Sequence, residues 1–273
     1  MLTPWLDLPG ADAMLTRWSD LIGLDLVGLG VTADAEEVRC TDVAQPLLTA
    51  AALLSGRALL SGGTPDAVCG HSVGELSALA LAGVLSDDEA VVLAAERGRL
   101  MAAAAAERPT GMAAVLGGAV DDDDLRSAGL ELATVNAPGQ VVVGGPLEAL
   151  DAWAPPAGAR VRRLEVAGAF HTSAMAPAVP GFAALVAELQ PRYAICDVVA
   201  NADGAVLRDG RALVDRLVVQ LTRPVRFDLC LAQLTGPAVE LAPAGVLSAL
   251  VRRVRPDVTV TALRSPDDLL VTA

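Results

Sequence analysis

The segment Asp66-Ala67-Val68-Cys69-Gly70-His71-Ser72-Val73-Gly74-Glu75 decides the fold. Its first four residues are typical of a short apolar strand, and residues 75–83 are typical of a helix. Between them lies the pattern G-x-S-x-G, in which a serine occupies a sharp turn from strand to helix and exposes its hydroxyl. We therefore predict an α/β fold with Ser72 as a nucleophile at that turn.

The chain contains only two histidines, and both lie in segments that indicate the same site. His71 precedes the serine of the turn, and His171 lies in Gly168-Ala169-Phe170-His171-Thr172. A serine becomes a strong nucleophile when an imidazole takes its proton. Because that base has to approach the hydroxyl from across a cleft, we predict that His171 is the base. We expect His71 to be structural or to form a wall of the pocket.

Composition and charge exclude several classes of protein. The 273 residues are 53% hydrophobic, which is typical of a folded protein with a substantial core. A net charge of −13 argues against nucleic-acid binding, which relies on neutralising phosphates. No apolar run approaches about 18 residues and no secretory signal is evident, so we predict a cytoplasmic protein without membrane attachment. The four cysteines lack metal-ligand spacing, so we expect no metal site.

Residues 109–167 differ in pattern from the segments on either side. Six predicted elements follow one another there: strand 112–116, helix 121–128, strand 130–135, strand 141–144, helix 147–153 and strand 160–166. This β-α-β-β-α-β order is the ferredoxin-like pattern. We therefore predict a ferredoxin-like small subdomain at 109–167. The four aspartates at 121–124 are expected to begin a helix and not to bind a metal, since consecutive helical residues point in different directions.

The remaining segments alternate between helix and strand. The predicted helices are 43–60, 86–106, 180–189, 212–221, 227–234 and 245–253, and the further strands are 198–200, 239–241 and 259–263. Such alternation predicts a mostly parallel sheet covered on both faces. We therefore predict that residues 1–108 and 168–273 form one large, α/β-hydrolase-like subdomain into which the small one is inserted.

Six segments match, in order, those of one known family. They are Thr41-Asp42-Val43-Ala44-Gln45-Pro46, Gly70-His71-Ser72-Val73-Gly74-Glu75, Glu96-Arg97-Gly98-Arg99-Leu100-Met101, Asn136-Ala137-Pro138-Gly139-Gln140-Val141-Val142, Gly168-Ala169-Phe170-His171 and Gln220-Leu221-Thr222-Arg223-Pro224-Val225-Arg226-Phe227. The chain thereby resembles the malonyl-CoA:acyl-carrier-protein transacylases, discrete acyltransferases of bacterial fatty-acid and polyketide synthesis. The resemblance implies transfer of a malonyl group from CoA to the phosphopantetheine thiol of acyl carrier protein, without a cofactor. We further expect a monomer.

The resemblance assigns the central catalytic roles. Ser72 is the nucleophile and His171 is the general base. The backbone carbonyl of Gln220 orients the second nitrogen of His171, where many serine enzymes use a carboxylate. From the residues alone, Asp197 and Asp203 remain alternative orienters.

The resemblance also assigns residues to the acyl pocket. Arg97 would bind the malonyl carboxylate through its guanidinium fork. Read without the resemblance, Arg97 is a surface arginine on a helix, solvated or paired with Glu96. Phe170 would occupy the volume that a branched acyl group needs, or it is ordinary core. Asn136 belongs to a turn that lines the cleft, and His71 is placed beside it as a pocket residue.

Two departures from the family pattern affect the expected site. The resemblance makes the N–H of Val73 one oxyanion-hole donor, at the positive end of its helix. The family's second donor lies in an N-terminal Gly-Gln-Gly-x-Gln strand-loop, and this chain aligns from just past it. We expect a start assigned too far downstream or, as the alternative, a divergent member. At 242–244 the chain has Ala-Pro-Ala where the family usually has Gly-Pro-Gly, so we expect an altered turn.

Two other functions compete with malonyl transfer. An acyl-thioester hydrolase would use the same serine and histidine with water as the acceptor. A catalytically weakened acyltransferase homologue would act as a binding partner in a synthase assembly. For the carrier protein, two arginine clusters are candidate docking sites despite the negative net charge. These clusters are Arg160, Arg162 and Arg163, and Arg252, Arg253 and Arg255.

Overall fold

The computed structural model describes residues 1–61 and 63–271 and contains helices and short strands in alternation. The helices are α1 (Ala11–Ile22), α2 (Leu26–Thr32), α3 (Ala35–Arg39), α4 (Thr41–Leu60), α5 (Gly74–Leu81), α6 (Asp87–Ala106), α7 (Asp122–Ser127), α8 (Leu147–Ala152), α9 (Val179–Ala187), α10 (Gly210–Gln220), α11 (Phe227–Ala232) and α12 (Val246–Val254). Short 3-10 helices cover Thr3–Trp5, Ser173–Ala178 and Pro266–Val271. The strands are β1 (Ala67–Val68), β2 (Thr110–Leu116), β3 (Glu131–Ala137), β4 (Gln140–Pro146), β5 (Arg160–Arg163), β6 (Asp197–Val199), β7 (Val206–Leu207), β8 (Val225–Arg226), β9 (Ala238–Glu240) and β10 (Val260–Ala262).

The strand that leads into the G-x-S-x-G turn lies in a small mixed sheet of three strands. β1 pairs in parallel with β6, and β6 pairs antiparallel with β7. β9 and β10 form a second parallel pair. Parallel strands joined by helices place their carboxyl ends at one edge, which is where functional residues collect in α/β folds. Ser72 follows β1 and Asn201 follows β6, so the topology brings these two residues together.

The small subdomain has the strand arrangement that the β-α-β-β-α-β pattern predicts. Its four strands are ordered β5-β2-β4-β3, and every neighbouring pair is antiparallel. One face of this sheet carries α7 and α8, whose Leu125 and Leu150 pack against Ala113, Val115 and Val143. The opposite face carries Met112 and Val142 and contacts Phe170. The second face therefore borders the region that holds His171.

A strand from the large subdomain extends the small sheet. β8 pairs in parallel with the outer edge of β3 through Thr134 and Val135. The two subdomains are therefore joined by backbone hydrogen bonds as well as by the two chain crossings. The division of the chain at residues 109 and 167 remains our proposal.

The main hydrophobic core surrounds helices α4 and α6. Leu47, Leu53, Leu76 and Leu79 are fully buried in it. Helix α4 is long and apolar enough to cross a membrane by length and composition, with a mean hydropathy of 1.4, but 61% of that stretch is buried inside the protein. We therefore interpret α4 as a core helix.

Most predicted elements are present with boundaries that differ by a few residues, but three parts of the fold differ from the sequence prediction. No element was predicted before residue 43, where the structure has α1, α2 and α3. The two-residue strands β7 and β8 were not predicted because so short a segment has no detectable periodicity. The strand predicted at 160–166 ends at Arg163.

Candidate active site

The serine of the G-x-S-x-G motif lies in a strained turn between β1 and α5. Ser72 has a φ of 53°, in the left-handed region that side chains rarely adopt. The turn is tight at Gly70, where an added Cβ would lie 2.1 Å from backbone atoms of Gly74. At Gly74 itself an added Cβ would meet nothing within 4 Å. The first glycine of the motif is therefore required by close approach of the backbone, whereas the second occupies open space.

The two predicted catalytic side chains are in hydrogen-bond contact. Ser72 Oγ lies 2.7 Å from His171 Nε2, and His171 Nδ1 lies 2.7 Å from the backbone oxygen of Gln220. A carbonyl oxygen can only accept, so Nδ1 carries the proton and Nε2 offers its lone pair to the serine hydroxyl. His171 also has a positive φ, 62°, so both catalytic candidates occupy the left-handed region of the backbone. The geometry is that of a nucleophile, a base and an orienting acceptor.

The carboxylates considered as alternative orienters are engaged elsewhere. Asp197 forms an ion pair with Arg208, and Asp203 forms one with Arg216. Both carboxylates are at least partly exposed, and the orienting contact to His171 comes from Gln220. The structure therefore supports the carbonyl arrangement over a carboxylate one.

The surroundings of His171 keep its ring neutral. Burial lowers the pKa of His171 from its ordinary 6.5 to about 3. The nearby positive charge of Arg97 also contributes to this lowering, and the hydrogen bond to the Gln220 carbonyl opposes it. A neutral imidazole can accept a proton, so His171 is available as a base at neutral pH.

Arg97 lies in the interior beside the nucleophile and is 1% exposed. It donates from Nη1 to Gln45 Oε1 and from Nη2 to Gln220 Oε1, each at 2.7 Å. Nη2 also lies 3.4 Å from Ser72 Oγ, and Nε has no partner among the described residues. Burial lowers the pKa of Arg97 to about 10, while Glu75 opposes this shift. Two neutral amides therefore hold a guanidinium that remains charged at neutral pH.

The alternative prediction for Arg97, an arginine on the helix surface paired with Glu96, instead describes Arg99. Arg99 forms the ion pair with Glu96 and is largely exposed. Gly98 lies between the two arginines, and its added Cβ would be 2.7 Å from the Thr41 carbonyl oxygen. This glycine lets α6 approach the first turn of α4, which carries Gln45 and brings its amide to Arg97.

His71 faces the small subdomain and does not contact Ser72 through its ring. Its Nε2 lies 2.9 Å from Asn136 Oδ1 on β3, and its ring meets Phe227 edge-on with centroids 5.0 Å apart. Burial lowers the pKa of His71. Asn136 thus ties the small sheet to the turn. Phe170 is half-buried between the main core and the cleft face of the small sheet.

Val73 offers a backbone donor at the start of α5. Within residues 1–61 and 63–271, its N–H has no acceptor in the protein, whereas the N–H of Ser72 donates to Asn201 Oδ1 at 2.8 Å. The positive end of the helix lies at the same place. This N–H is therefore free to donate to an oxygen that develops negative charge beside Ser72 Oγ.

The sequence did not identify three buried polar residues around the turn. Asn201 accepts from Ser72 N and donates from Nδ2 to the Gly70 carbonyl, so it holds both sides of the turn. Glu75 accepts from Asn201 N at 2.9 Å, and Gln45 binds Arg97. Gln45 and Glu75 lie in two of the six segments that match the family, and this position could have identified them as site residues. Nothing in the sequence around Asn201 distinguishes it from a turn asparagine.

The described residues contain no group of three or more His, Cys, Asp or Glu side chains arranged to hold a metal ion. Asp121 begins α7 and accepts from the N–H groups of Asp123 and Asp124, as expected of an N-cap.

Comparison with known proteins identifies the class. The chain matches the acyl transferase domain family over residues 17–271 and belongs to that family. It is 47% identical to the malonyl CoA-acyl carrier protein transacylase of Mycolicibacterium smegmatis over 98% of both chains. It is 48% identical to the protein of the same name from Mycobacterium tuberculosis H37Rv, over 98% of this chain and 93% of that one. The resemblance deduced from the six segments is thereby confirmed.

Solved structures show the same architecture. The crystal structure of MCAT from Mycobacterium tuberculosis matches with a TM-score of 0.92 and 47% identity, covering 98% of this chain and 93% of that one. A type II polyketide synthase acyl-carrier protein in complex with its malonyl-transacylase matches with a TM-score of 0.89 and 30% identity, covering 99% and 93%. The predicted α/β fold with a ferredoxin-like insertion is confirmed.

Proposed function

We propose that this chain transfers a malonyl group from CoA to the phosphopantetheine thiol of acyl carrier protein through an acyl-enzyme on Ser72. The observation that carries the proposal is a buried guanidinium without a carboxylate partner, 3.4 Å from a serine hydroxyl that contacts an oriented imidazole. The serine and imidazole supply acyl transfer, and the guanidinium supplies recognition of an acyl group that carries its own carboxylate.

In the first half-reaction, Ser72 Oγ attacks the thioester carbonyl while its proton passes to His171 Nε2. The hydrogen bond from Nδ1 to Gln220 stabilises the imidazolium that forms. The N–H of Val73 donates to the oxyanion of the tetrahedral intermediate. The carbon–sulfur bond then breaks, and the CoA sulfur takes the proton from Nε2. The products are malonyl-Ser72 and free CoA.

The second half-reaction reverses these steps with a different thiol. The phosphopantetheine thiol gives its proton to His171 Nε2, and its sulfur attacks the ester carbonyl of malonyl-Ser72. The bond to Ser72 Oγ breaks, and Oγ recovers the proton from Nε2. Because the same imidazole serves both halves, a ping-pong sequence needs no second base.

Arg97 and Phe170 define the acyl group in this proposal. In malonyl-Ser72 the free carboxylate is separated from the ester carbonyl by one methylene, so it reaches the guanidinium that lies beside Oγ. Arg97 retains N–H groups that are not used by its two amide partners, and these would bind the carboxylate. Phe170 would limit the space for a branch on that methylene. His71 and Asn136 would form the wall between the turn and the small subdomain.

For carrier docking we favour the arginines of β5. This strand lies at the edge of the small sheet, and all four of its residues are exposed. Arg163 pairs with Asp151, whereas Arg160 and Arg162 lie opposite Leu116 and Ala114 and share the sheet face of Met112. In the second cluster, Arg255 pairs with Asp257. A cluster of positive charge on a protein of net charge −13 would attract an acidic carrier locally. We further propose a monomer that works in the cytoplasm without a cofactor.

The transfer reaction is tested with purified protein, malonyl-CoA and a phosphopantetheinylated carrier protein. We expect CoA release and a malonyl mass increase on the carrier, both abolished in Ser72→Ala. A hydrolase would release CoA and free malonate at the same rate without the carrier. A weakened homologue would bind the carrier and form no acyl-enzyme. Either result would contradict the proposal.

A further inference from the structure

A buried carboxylate lies under the nucleophile turn, and the reaction outlined above does not use it. Glu75, three residues after Ser72, is 2% exposed. Its Oε1 accepts from the N–H of Asn201 at 2.9 Å and its Oε2 accepts from Gln220 Nε2 at 2.6 Å. Burial raises the pKa of Glu75 to about 7, and its hydrogen bonds together with Arg97 and Arg216 oppose the shift. Burial of a carboxylate is unfavourable in free energy, so a buried carboxylate next to the active site is expected to have a role there.

The side-chain amide of Gln220 connects this carboxylate to the guanidinium. Its Oε1 accepts from Arg97 Nη2 at 2.7 Å, and its Nε2 faces only acceptors, of which Glu75 Oε2 is the nearest. The reverse orientation would place the amide oxygen against a carboxylate and the NH₂ group against a guanidinium. The charges at the two ends therefore determine which way the amide points. The same residue holds His171 through its backbone oxygen.

This arrangement separates two functions that a direct ion pair would combine. A buried guanidinium is stabilised by a nearby negative charge. A carboxylate bound directly to Arg97 would also occupy the fork that a substrate carboxylate needs. With one amide between them, Glu75 and Arg97 neutralise each other across the core while the remaining N–H groups of Arg97 stay available. Among the described residues, no carboxylate accepts a hydrogen bond directly from Arg97.

We propose that Glu75 is a positioning residue for acyl selectivity: through Gln220 it holds Arg97 charged, oriented and free of a direct counterion, so that the site selects an acyl group bearing a carboxylate. This inference rests on the proposed malonyl transfer. Glu75 contacts neither the acyl group nor the reacting atoms, and it reaches Arg97 through the side-chain amide of Gln220.

The test moves the negative charge from residue 75 to residue 220, which contacts Arg97 directly. In the double variant Glu75→Gln/Gln220→Glu, the amide at 75 donates to the carboxylate at 220, and that carboxylate pairs directly with Arg97. Acylation by malonyl-CoA and by acetyl-CoA is followed through CoA release, and the malonyl-to-acetyl ratio of kcat/KM is compared with that of the unchanged protein. We expect this ratio to fall by about 30-fold or more, since the substrate carboxylate loses a charged bidentate contact. The single variant Glu75→Gln should lower the ratio by about tenfold, because the amide of Gln220 loses its orienting charge.

Two further variants separate selectivity from folding. Glu240→Gln changes a carboxylate that only accepts backbone N–H groups at the start of α12, so it should lower the melting temperature and leave the ratio unchanged. Gln220→Glu alone keeps Glu75, so two carboxylates would face each other where Gln220 Nε2 now donates to Glu75 Oε2, and this variant should melt at a lower temperature than the double variant. An unchanged ratio in Glu75→Gln, including equal losses for both donors, would overturn the inference; if Glu75→Gln does not fold, the double variant gives the same comparison. Failure of malonyl acylation in the unchanged protein would instead refute the proposed function.

Discussion

Replacing Arg97 by alanine should abolish the preference for malonyl over acetyl donors. In the structure its guanidinium is 1% exposed and held by two neutral amides, and its Nη2 is 3.4 Å from the nucleophile. A malonyl carboxylate would gain two charge-assisted hydrogen bonds there, together worth about 2–4 kcal/mol. Loss of that contact corresponds to about 30- to 1000-fold in kcat/KM for malonyl-CoA.

Acetyl transfer should respond in the opposite direction. An acetyl group leaves the buried guanidinium without a carboxylate partner, so removing Arg97 should leave acetyl transfer level or raise it. Acylation is measured by CoA release from each donor, with Arg97→Lys added to retain the charge and remove the fork. Arg99→Ala is the matched control, since Arg99 lies on the same helix and is exposed with Glu96 as its partner. If Arg97→Ala reduces both donors equally, the arginine supports the structure or contacts CoA, and its assignment to the acyl carboxylate is refuted.

Three further predictions concern the two histidines and the two glycines of the motif. His171→Ala should reduce acylation by about 10²–10⁴-fold; a larger loss in a folded His71→Ala would show that the roles are reversed. Because the pKa of His171 is lowered from 6.5 to about 3, the folded protein binds fewer protons than the unfolded chain between those values. His171 therefore lowers the free energy of unfolding as pH falls through this window, by up to about 1.4 kcal/mol per pH unit, and urea titrations of His171→Ala should show a flatter dependence. Gly70→Ala should destabilise the protein strongly, because its Cβ would lie 2.1 Å from backbone, whereas Gly74→Ala should leave the melting temperature nearly unchanged; similar melting temperatures for both variants would contradict the described turn.

The elements around the site could be predicted because their signals are local. The G-x-S-x-G turn is recognisable in the sequence as an apolar strand, two glycines around a serine, and a helix. The structure has β1, Ser72 at positive φ and α5 in that order. The ferredoxin-like insertion was predictable for a similar reason, since three of its four strands are seven residues long and show clear apolar patterns. Strand β8 is held by pairing with the distant strand β3, and β7 has only two residues, so their own sequences carry little information.

The hydrogen-bond network of Glu75, Asn201 and Gln220 beside the G-x-S-x-G turn could not be predicted in the same way. Glu75 follows the motif and could be a solvated residue in the first turn of a helix, which is where acidic residues are usually favoured. Only the tertiary structure shows that Asn201 and Gln220 close over it. Similarly, Arg97 and Arg99 are indistinguishable by residue type, and the direction each faces is set by the packing of α6 against α4. The resemblance to the family identified Arg97 as the pocket residue, whereas the spacing of the two arginines along the helix did not.

The central claim is that Ser72 carries the malonyl group during transfer, and the acyl-enzyme itself is the most direct test. The protein is mixed with malonyl-CoA without carrier protein, quenched in acid, and examined by intact mass and peptide mapping. We predict one added malonyl group on the peptide containing Ser72, absent in Ser72→Ala and released when a phosphopantetheinylated carrier protein is added before quenching. A malonyl adduct that persists in Ser72→Ala, or that maps to another residue, would contradict the account.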